Sequence, residues 1–226
     1  MNIIASTQLS GRVAAGLTLL LIAGCGSLLP KSAPPPAFYG LNGPQADPRV
    51  PPFASGPAPE VAARPTLIVG PPHAAAGFDS ARIVYVRSGD HREYFARSAW
   101  VDTPARMLSP LIVAAVGAGS AFRAVVAAPS AAAGDLRLDT EIVRLQQTFG
   151  PVPSRVRFTL RAYLVVESTR QVLAWQEFDA SEAAESEDPL GGIAAAQRAV
   201  RVVLAELTAF CARSTVDWPP SAPGAP

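Results

Sequence analysis

Cysteine and histidine are both scarce in this chain of 226 residues, since each occurs only twice. His73 and His91 lack the Cys, His or carboxylate spacing that is typical of a metal site, so we expect both to be loop or surface residues. The cysteines are Cys25 and Cys211, which are too few for a disulfide framework. The sequence predicts neither a bound metal nor a cofactor.

An excess of charge is missing as well. The chain carries 19 basic and 18 acidic residues, and Lys31 is its only lysine. Nucleic-acid binding needs a basic patch that displaces counterions from the phosphates. The balanced charge therefore argues against a nucleic-acid partner.

Catalytic signatures are also lacking. The chain has no Gly-x-Ser-x-Gly and no Walker A sequence, and the glycines at Gly117 and Gly119 follow a predicted helix, which we expect them to end. No nucleophile stands in a recognisable pattern with a base. We therefore expect no enzyme and assign no catalytic residue.

Long hydrophobic runs are absent too, and the longest apolar stretch lies near the N-terminus. Val13 to Ala23 is too short to span a bilayer as a helix, and Arg12 precedes it as a positive charge. Ile22-Ala23-Gly24-Cys25 matches a lipobox, in which small residues admit a peptidase and the thiol takes a diacylglyceryl group. This pattern predicts a lipoprotein signal peptide at residues 1–24 and lipidation at Cys25.

Two alternatives to lipidation stay open: a short membrane anchor, and an ordinary secretory signal with a chance cysteine. Two or three acyl chains, palmitate among them, would hold the protein stably at a membrane, whereas one chain would not. Gly26 stands where an Asp would resemble the inner-membrane retention signal. We therefore expect an outer-membrane anchor, with the protein facing the periplasm.

Proline dominates the segment that follows. Eleven prolines lie between Pro30 and Pro65, which predicts that residues 25–63 form an extended tether of about 3.1 Å per residue. Phe38-Tyr39-Gly40-Leu41 interrupts the tether and is interpreted as a first short strand that docks on the domain. We place the folded domain at residues 64–216 and predict a disordered tail at 217–226.

Alternating apolar residues predict the first strands of the domain. Thr66 to Val69 and Arg82 to Val86 form an expected first pair. His91 to Ala96 follows as a short strand that closes at Trp100, and Phe122 to Val126 is another.

Two helices are predicted from their capping signals. Asp102-Thr103-Pro104 opens a helix that directs Met107, Leu108, Leu111 and Ile112 toward the core. Pro110 should kink this helix unless its true start is later. Asp188-Pro189 opens the second helix. Its apolar stripe comprises Ile193, Val200, Val203, Leu204, Leu207 and Phe210, with Cys211 as a small core residue rather than a nucleophile.

Residues 136–180 are predicted to form a three-stranded antiparallel meander. Leu136, Leu138, Thr140 and Ile142 pair with Val166, Leu164, Ala162 and Leu160, and a bulge is expected at Val143 to Leu145. On the other side, Tyr163 pairs with Trp175 and Val165 with Leu173. We expect the strand Val156 to Val166 to be central and covered on both faces, with Tyr163 and Trp175 beneath a helix.

This register sets Arg161 between Glu141 and Glu177. We interpret the three residues as an architectural ion-pair ladder, with a ligand site as the alternative. The acidic run Glu182 to Asp188 precedes the second helix and is interpreted as favourable helix-start charge, with metal binding as its alternative. The predicted fold class is α/β: a single domain with a mixed, mostly antiparallel sheet flanked by two main helices.

Several short motifs together resemble one known family. They are the lipobox at Cys25, Tyr39-Gly40-Leu41, Arg82-Ile83-Val84-Tyr85, Glu93-Tyr94-Phe95-Ala96, Trp100 before Pro104, Ala121 to Val125, the Leu138 to Glu167 hairpin, Val172 to Trp175 and the Ala-rich last helix. The chain resembles the ABC-type transport auxiliary lipoproteins, in particular the PqiC-like intermembrane transport lipoproteins. It departs from them at Pro110 and in its long Pro-rich tether.

The resemblance implies a function without implying catalytic residues. Members work with an ABC ATPase, a permease and an MCE-domain protein that moves lipids between the two membranes. It implies an outer-membrane lipoprotein that docks the MCE partner, and a homo-oligomer stays open. The alternatives are a general envelope scaffold or outer-membrane assembly lipoprotein, and a lipid-anchored enzyme.

Overall fold

A computed structural model describes residues 35–42, 64–89, 91–216 and 218. The predictions for the signal peptide, Cys25 and most of the tether and tail lie outside these residues. The elements are β1 (Ala37–Tyr39), β2 (Thr66–Val69), β3 (His73–Ala74), β4 (Arg82–Val86), β5 (Arg92–Trp100), α1 (Pro104–Gly117), β6 (Ala124–Ala127), β7 (Leu136–Thr148), β8 (Arg155–Val166), β9 (Val172–Ala183) and α2 (Pro189–Ser214).

Strands β7, β8 and β9 form the predicted antiparallel meander. All four predicted pairs between β7 and β8 are confirmed, and the register shifts at Val143, so the expected bulge is confirmed too. The pairing of Tyr163 with Trp175 is also confirmed. Apolar residues recur at every second position on both strands, and they can face one core only in this register.

One predicted pair in the meander is wrong. Val165 lies opposite Val172 rather than Leu173, because the register between β8 and β9 shifts after Leu164 and Ala174. Leu173 is therefore the extra residue of a second bulge. The sequence offered no polar break in the alternation there that would have marked it.

The other edge of β7 is shared end to end by three shorter strands. β2, β3 and β4 all pair with β7 in parallel. β6 lies beyond β2, while β5 and then β1 lie beyond β4. The expected first pair of Thr66–Val69 with Arg82–Val86 is therefore wrong, because both strands bond to β7 instead of to each other.

The fold class is confirmed as a mixed α/β single domain. The longest ladders, β7 with β8 and β8 with β9, are antiparallel, and the shorter ladders on β7 are parallel. A strand of thirteen residues has room for several short partners along one edge. The meander therefore forms the frame on which the N-terminal strands assemble.

Both helices begin where their caps predict. Thr103 Oγ1 accepts from Arg106 N–H at 3.4 Å, and Asp188 Oδ1 accepts from Gly191 N–H at 2.8 Å. Helix α1 begins at Pro104 and includes Pro110, so the alternative of a later start is wrong. The part of the chain that the structure describes contains no helix long and apolar enough to cross a membrane.

Helix α2 covers one face of the meander. Its predicted apolar stripe is buried, and Phe178 of β9 meets Phe210 edge to face at 5.8 Å. Cys211 is completely buried in the same core, as expected. The four α1 residues that the pattern directed inward all meet the core: Leu108 and Ile112 are buried, and Met107 and Leu111 are partly buried and packed against it.

The first short strand docks as expected. β1 pairs in parallel with the end of β5, where Tyr39 lies opposite Trp100. Leu41 is buried in the core, and Gln197 of α2 donates to the Gly40 carbonyl at 3.1 Å. This segment is held by a strand, a core contact and a helix side chain.

Candidate functional site

The prediction that both faces of the meander are covered is wrong, because one of them is left without a helix. Helix α2 packs on β8 and β9 through residues such as Phe158, Leu160 and Phe178, which all point to one side. The alternate residues form a surface that we call the open face. They are Arg137, Asp139, Glu141 and Arg144 of β7, Arg155, Arg157, Thr159, Arg161, Tyr163 and Val165 of β8, and Val172, Trp175, Glu177, Asp179 and Ser181 of β9.

An aromatic pair occupies one end of the open face. Tyr163 and Trp175 stack with their ring centroids 6.4 Å apart, and Trp175 is 62% exposed. The prediction that they lie on neighbouring strands is right, and the prediction that a helix covers them is wrong. Val172 and Leu173 continue the exposed apolar surface along the edge strand β9. Clustered exposed apolar side chains of this size are typical of an interaction surface.

Arg161 stands beside this pair and joins all three strands of the meander. It donates to Glu141 at 3.2 Å and to Glu177 at 2.8 Å, which confirms the predicted ladder. The hydrogen bond to Glu177 raises the pKa of Arg161 above its ordinary value. Arg161, Tyr163, Trp175 and Glu177 line a shallow depression of about 370 Å³. The ladder holds a fixed cation next to the stacked rings.

A second ion pair follows along the open face. Arg157 donates to the carboxylate of Asp179 at 2.8 Å and 3.0 Å, and Thr159 donates to the same carboxylate at 2.5 Å. Partial burial raises the pKa of Asp179, but the hydrogen bonds from Arg157 and Thr159 outweigh it and leave this pKa below its ordinary value. The carboxylate is therefore ionised across the physiological range.

A third ion pair lies beyond Tyr163 at the same end of the open face, next to a wider cleft. Arg137 donates to Glu167 at 2.9 Å and 3.2 Å, and this hydrogen bond lowers the pKa of Glu167. The cleft measures about 610 Å³ and lies between this pair, Ile68 of β2 and the loop of residues 128–134. Sequence reasoning missed it, because a loop that folds back over a strand leaves no periodic signal.

The remaining candidate residues do not converge on the open face. Burial raises the pKa of the Cys211 thiol to about 12, so it is neither accessible nor ionised. His73 and His91 are exposed, as expected. Among the described residues, no group of three His, Cys, Asp or Glu side chains could hold a metal ion.

The acidic run before α2 is fully engaged in structural contacts. Arg198 pairs with Glu182 at 3.6 Å and with Glu185 at 2.8 Å. Glu187 accepts from Ser154 N–H at 2.7 Å, and Asp188 caps the helix. Asp188 supports the helix-start interpretation, while the glutamates brace the turn that precedes the helix.

Comparison with known proteins relates most of the domain to one family. The family model described as the ABC-type transport auxiliary lipoprotein component matches residues 49–208. No curated protein matches the chain. The match spans the meander with its open face, the cleft beside Arg137 and most of α2.

Solved structures show the same fold. A crystal structure of a Xanthomonas campestris protein assigned to DUF330 has a TM-score of 0.61 at 22% identity, and the alignment covers 67% of this chain and 86% of that one. A crystal structure of an uncharacterized protein has a TM-score of 0.58 at 13% identity, with 80% and 98% coverage. At these identities the likeness is one of fold alone.

Proposed function

Because the chain belongs to the family of ABC-type transport auxiliary lipoproteins, we propose that it is a lipid-anchored component of an intermembrane lipid transport system. In this proposal the protein is held at the outer membrane through Cys25 and faces the periplasm. It docks the MCE-domain protein of an ABC lipid transporter. It makes and breaks no bond, and it uses no cofactor.

The open face supports a docking role more than any other part of the domain. Trp175 is stacked, held in place by a neighbouring strand and exposed, which makes it a preorganised anchor for a protein partner. The Arg161 ladder adds oriented charge at the rim of this apolar surface. We assign the MCE partner to this surface.

Anchoring at the membrane would strengthen binding of a partner to this surface. Lipid chains confine the domain to a thin layer beside the membrane, so its effective concentration for a bridging partner rises without any new contact. A modest interface could then hold the distal end of the partner at the outer membrane. The mechanism is one of positioning.

A site-specific crosslinker tests the docking surface. A photoreactive phenylalanine at Leu173 lies beside Trp175, and a control at Leu190 replaces another exposed leucine, which lies on α2 away from the open face. We expect the Leu173 position to capture an MCE-domain protein in cells, and Trp175→Ser to reduce this capture several-fold. Capture from Leu190 alone would contradict docking through the open face.

The anchor requires a separate experiment. A Cys25→Ala form that is routed to the periplasm by an ordinary signal peptide should fold and bind the partner, yet restore transport poorly. Full transport by this form would contradict the anchoring role. Capture of outer-membrane assembly proteins, with no MCE-domain protein, would favour the envelope scaffold instead.

A further inference from the structure

The docking of β1 changes how far the domain can stand from its lipid anchor. Ala37 lies only twelve residues after Cys25. A chain of this length spans at most about 43 Å when fully extended, and about 37 Å as polyproline. The predicted tether of residues 25–63 would have allowed about 120 Å. Because β1 is part of the sheet, the reach of the domain from Cys25 is set by the chain between Cys25 and Ala37.

Exposed apolar side chains lie where this short tether enters the domain. Phe38 is 64% exposed and points away from the side on which Tyr39 packs against the core. Val101 is 65% exposed and directly follows β5, and its N–H donates to the Tyr39 carbonyl at 2.8 Å. The two side chains therefore flank one end of the same strand pair. We call Phe38 and Val101 the entry patch.

The charges around the entry patch are compatible with a phospholipid surface. Arg97 is exposed on β5, two residues before Ala99, which lies opposite Phe38. The nearest acidic residue in sequence, Asp102, is paired with Arg106 at 3.0 Å. An exposed cation beside apolar side chains is the combination that favours the headgroup region of an anionic bilayer.

We propose that the entry patch contacts the bilayer that holds the acyl chains of Cys25. This inference rests on the proposed lipidation and adds an orientation to it. Across the sheet the strands follow the order β1, β5, β4, β7, β8 and β9, so β1 and β9 are its opposite edges. With β1 against the membrane, β9 and Trp175 lie on the side turned to the periplasm, where a bridging partner would arrive.

Two matched valines make the orientation measurable. Val101 and Val172 are 65% and 54% exposed and belong to opposite edges of the sheet. Full-length lipidated protein would carry a nitroxide at V101C, F38C or V172C in phosphatidylethanolamine and phosphatidylglycerol vesicles. Acylation would consume the thiol of Cys25, and Cys211 is buried, so neither would compete for the label. The collision rate of the nitroxide with oxygen, which dissolves in lipid, is compared with its collision rate with a water-soluble nickel complex.

We expect the oxygen-to-nickel ratio to be several-fold higher at positions 38 and 101 than at position 172. Equal, water-like ratios in acylated, vesicle-bound protein would overturn the orientation and leave the anchor standing. Shielding of position 101 from both reagents would show that protein covers the entry patch, and this result would also overturn the proposed contact with the bilayer. Mass spectra without an acyl group at Cys25 would overturn the anchor and the orientation together.

Discussion

Trp175 and Phe178 show how differently two aromatic residues of one strand can be placed. Trp175 is 62% exposed on the open face, whereas Phe178 is 1% exposed beneath α2. They are three positions apart, an odd spacing that puts them on opposite faces of β9. One side chain belongs to the surface and the other to the core, so their removal should have different effects.

Alanine substitutions at these two positions should separate function from stability. We expect Trp175→Ala to lower the free energy of unfolding by about 1 kcal/mol or less, because only the stack with Tyr163 is lost. Phe178→Ala empties a core site and should cost about 3–5 kcal/mol. Urea denaturation of both variants measures the difference. A comparable loss for the two would show that Trp175 is covered in solution.

The buried thiol of Cys211 predicts a pH dependence. Its pKa is raised by burial from an ordinary value of 9.0 to about 12, so its contribution to stability is complete below about pH 9 and declines as the pH rises toward 12. Between pH 8 and pH 10 this thiol should lower the free energy of unfolding of the wild type by about 1 kcal/mol. The Cys211→Ala variant should lack this loss of stability. The free energy of unfolding of both proteins is measured by urea denaturation from pH 8 to pH 10, and the same pH dependence for the two would contradict the prediction.

At the scale of elements, helix α2 depends on a close approach at its first turn. A Cβ atom on Gly191 would lie 2.3 Å from the Ser186 carbonyl oxygen and 2.5 Å from the Ser186 nitrogen, both of them backbone atoms. Gly117 ends α1 in open surroundings, with its nearest neighbour 3.9 Å away. Both residues are helical glycines, but only one of them is required by packing.

This contrast gives a matched pair of variants. Gly191→Ala should destabilise the protein by about 1–3 kcal/mol, because the backbone before α2 must move to admit a methyl group. Gly117→Ala should be neutral or stabilising by up to about 1 kcal/mol, since alanine has the higher helix propensity. Thermal unfolding distinguishes the two. Equal effects would show that the approach at Gly191 is not tight.

For the whole molecule, the two edges of the sheet are proposed to have separate partners. Phe38 and Val101 lie at the β1 edge, and Trp175 lies on β9. A bridge between a membrane and a protein needs two surfaces that do not overlap. In this arrangement a single sheet supplies both.

Variants at the two edges should therefore have independent effects. Phe38→Ser with Val101→Ser should reduce lipid contact, reported by a nitroxide at the adjacent position Asp102, and should leave crosslinking from Leu173 unchanged. Trp175→Ser should do the reverse. The Phe38 and Val101 double variant should retain the wild-type urea midpoint, and Trp175→Ser should lower it only slightly, because all three side chains are exposed and only Trp175 loses an aromatic stack. Loss of both properties in either variant would contradict two separate surfaces.

The sequence by itself determined the caps at Thr103 and Asp188, the bulge at Val143 and the ladder around Arg161. These features follow from local chemistry and from a period of two that allows one register, so no distant contact is needed to predict them. The buried stripe of α2 follows from helical periodicity in the same way.

Only the tertiary structure decided which strands share the edge of β7, where β9 slips at Leu173 and which sheet face stays open. Short apolar strands such as β2 and β4 carry no mark of their neighbour, since backbone hydrogen bonds are alike along every edge. Both faces of the meander have apolar residues, and the alternation cannot tell a core from an interaction surface. Only the position of α2 makes that distinction, because a single helix on the meander covers one face and leaves Trp175 exposed.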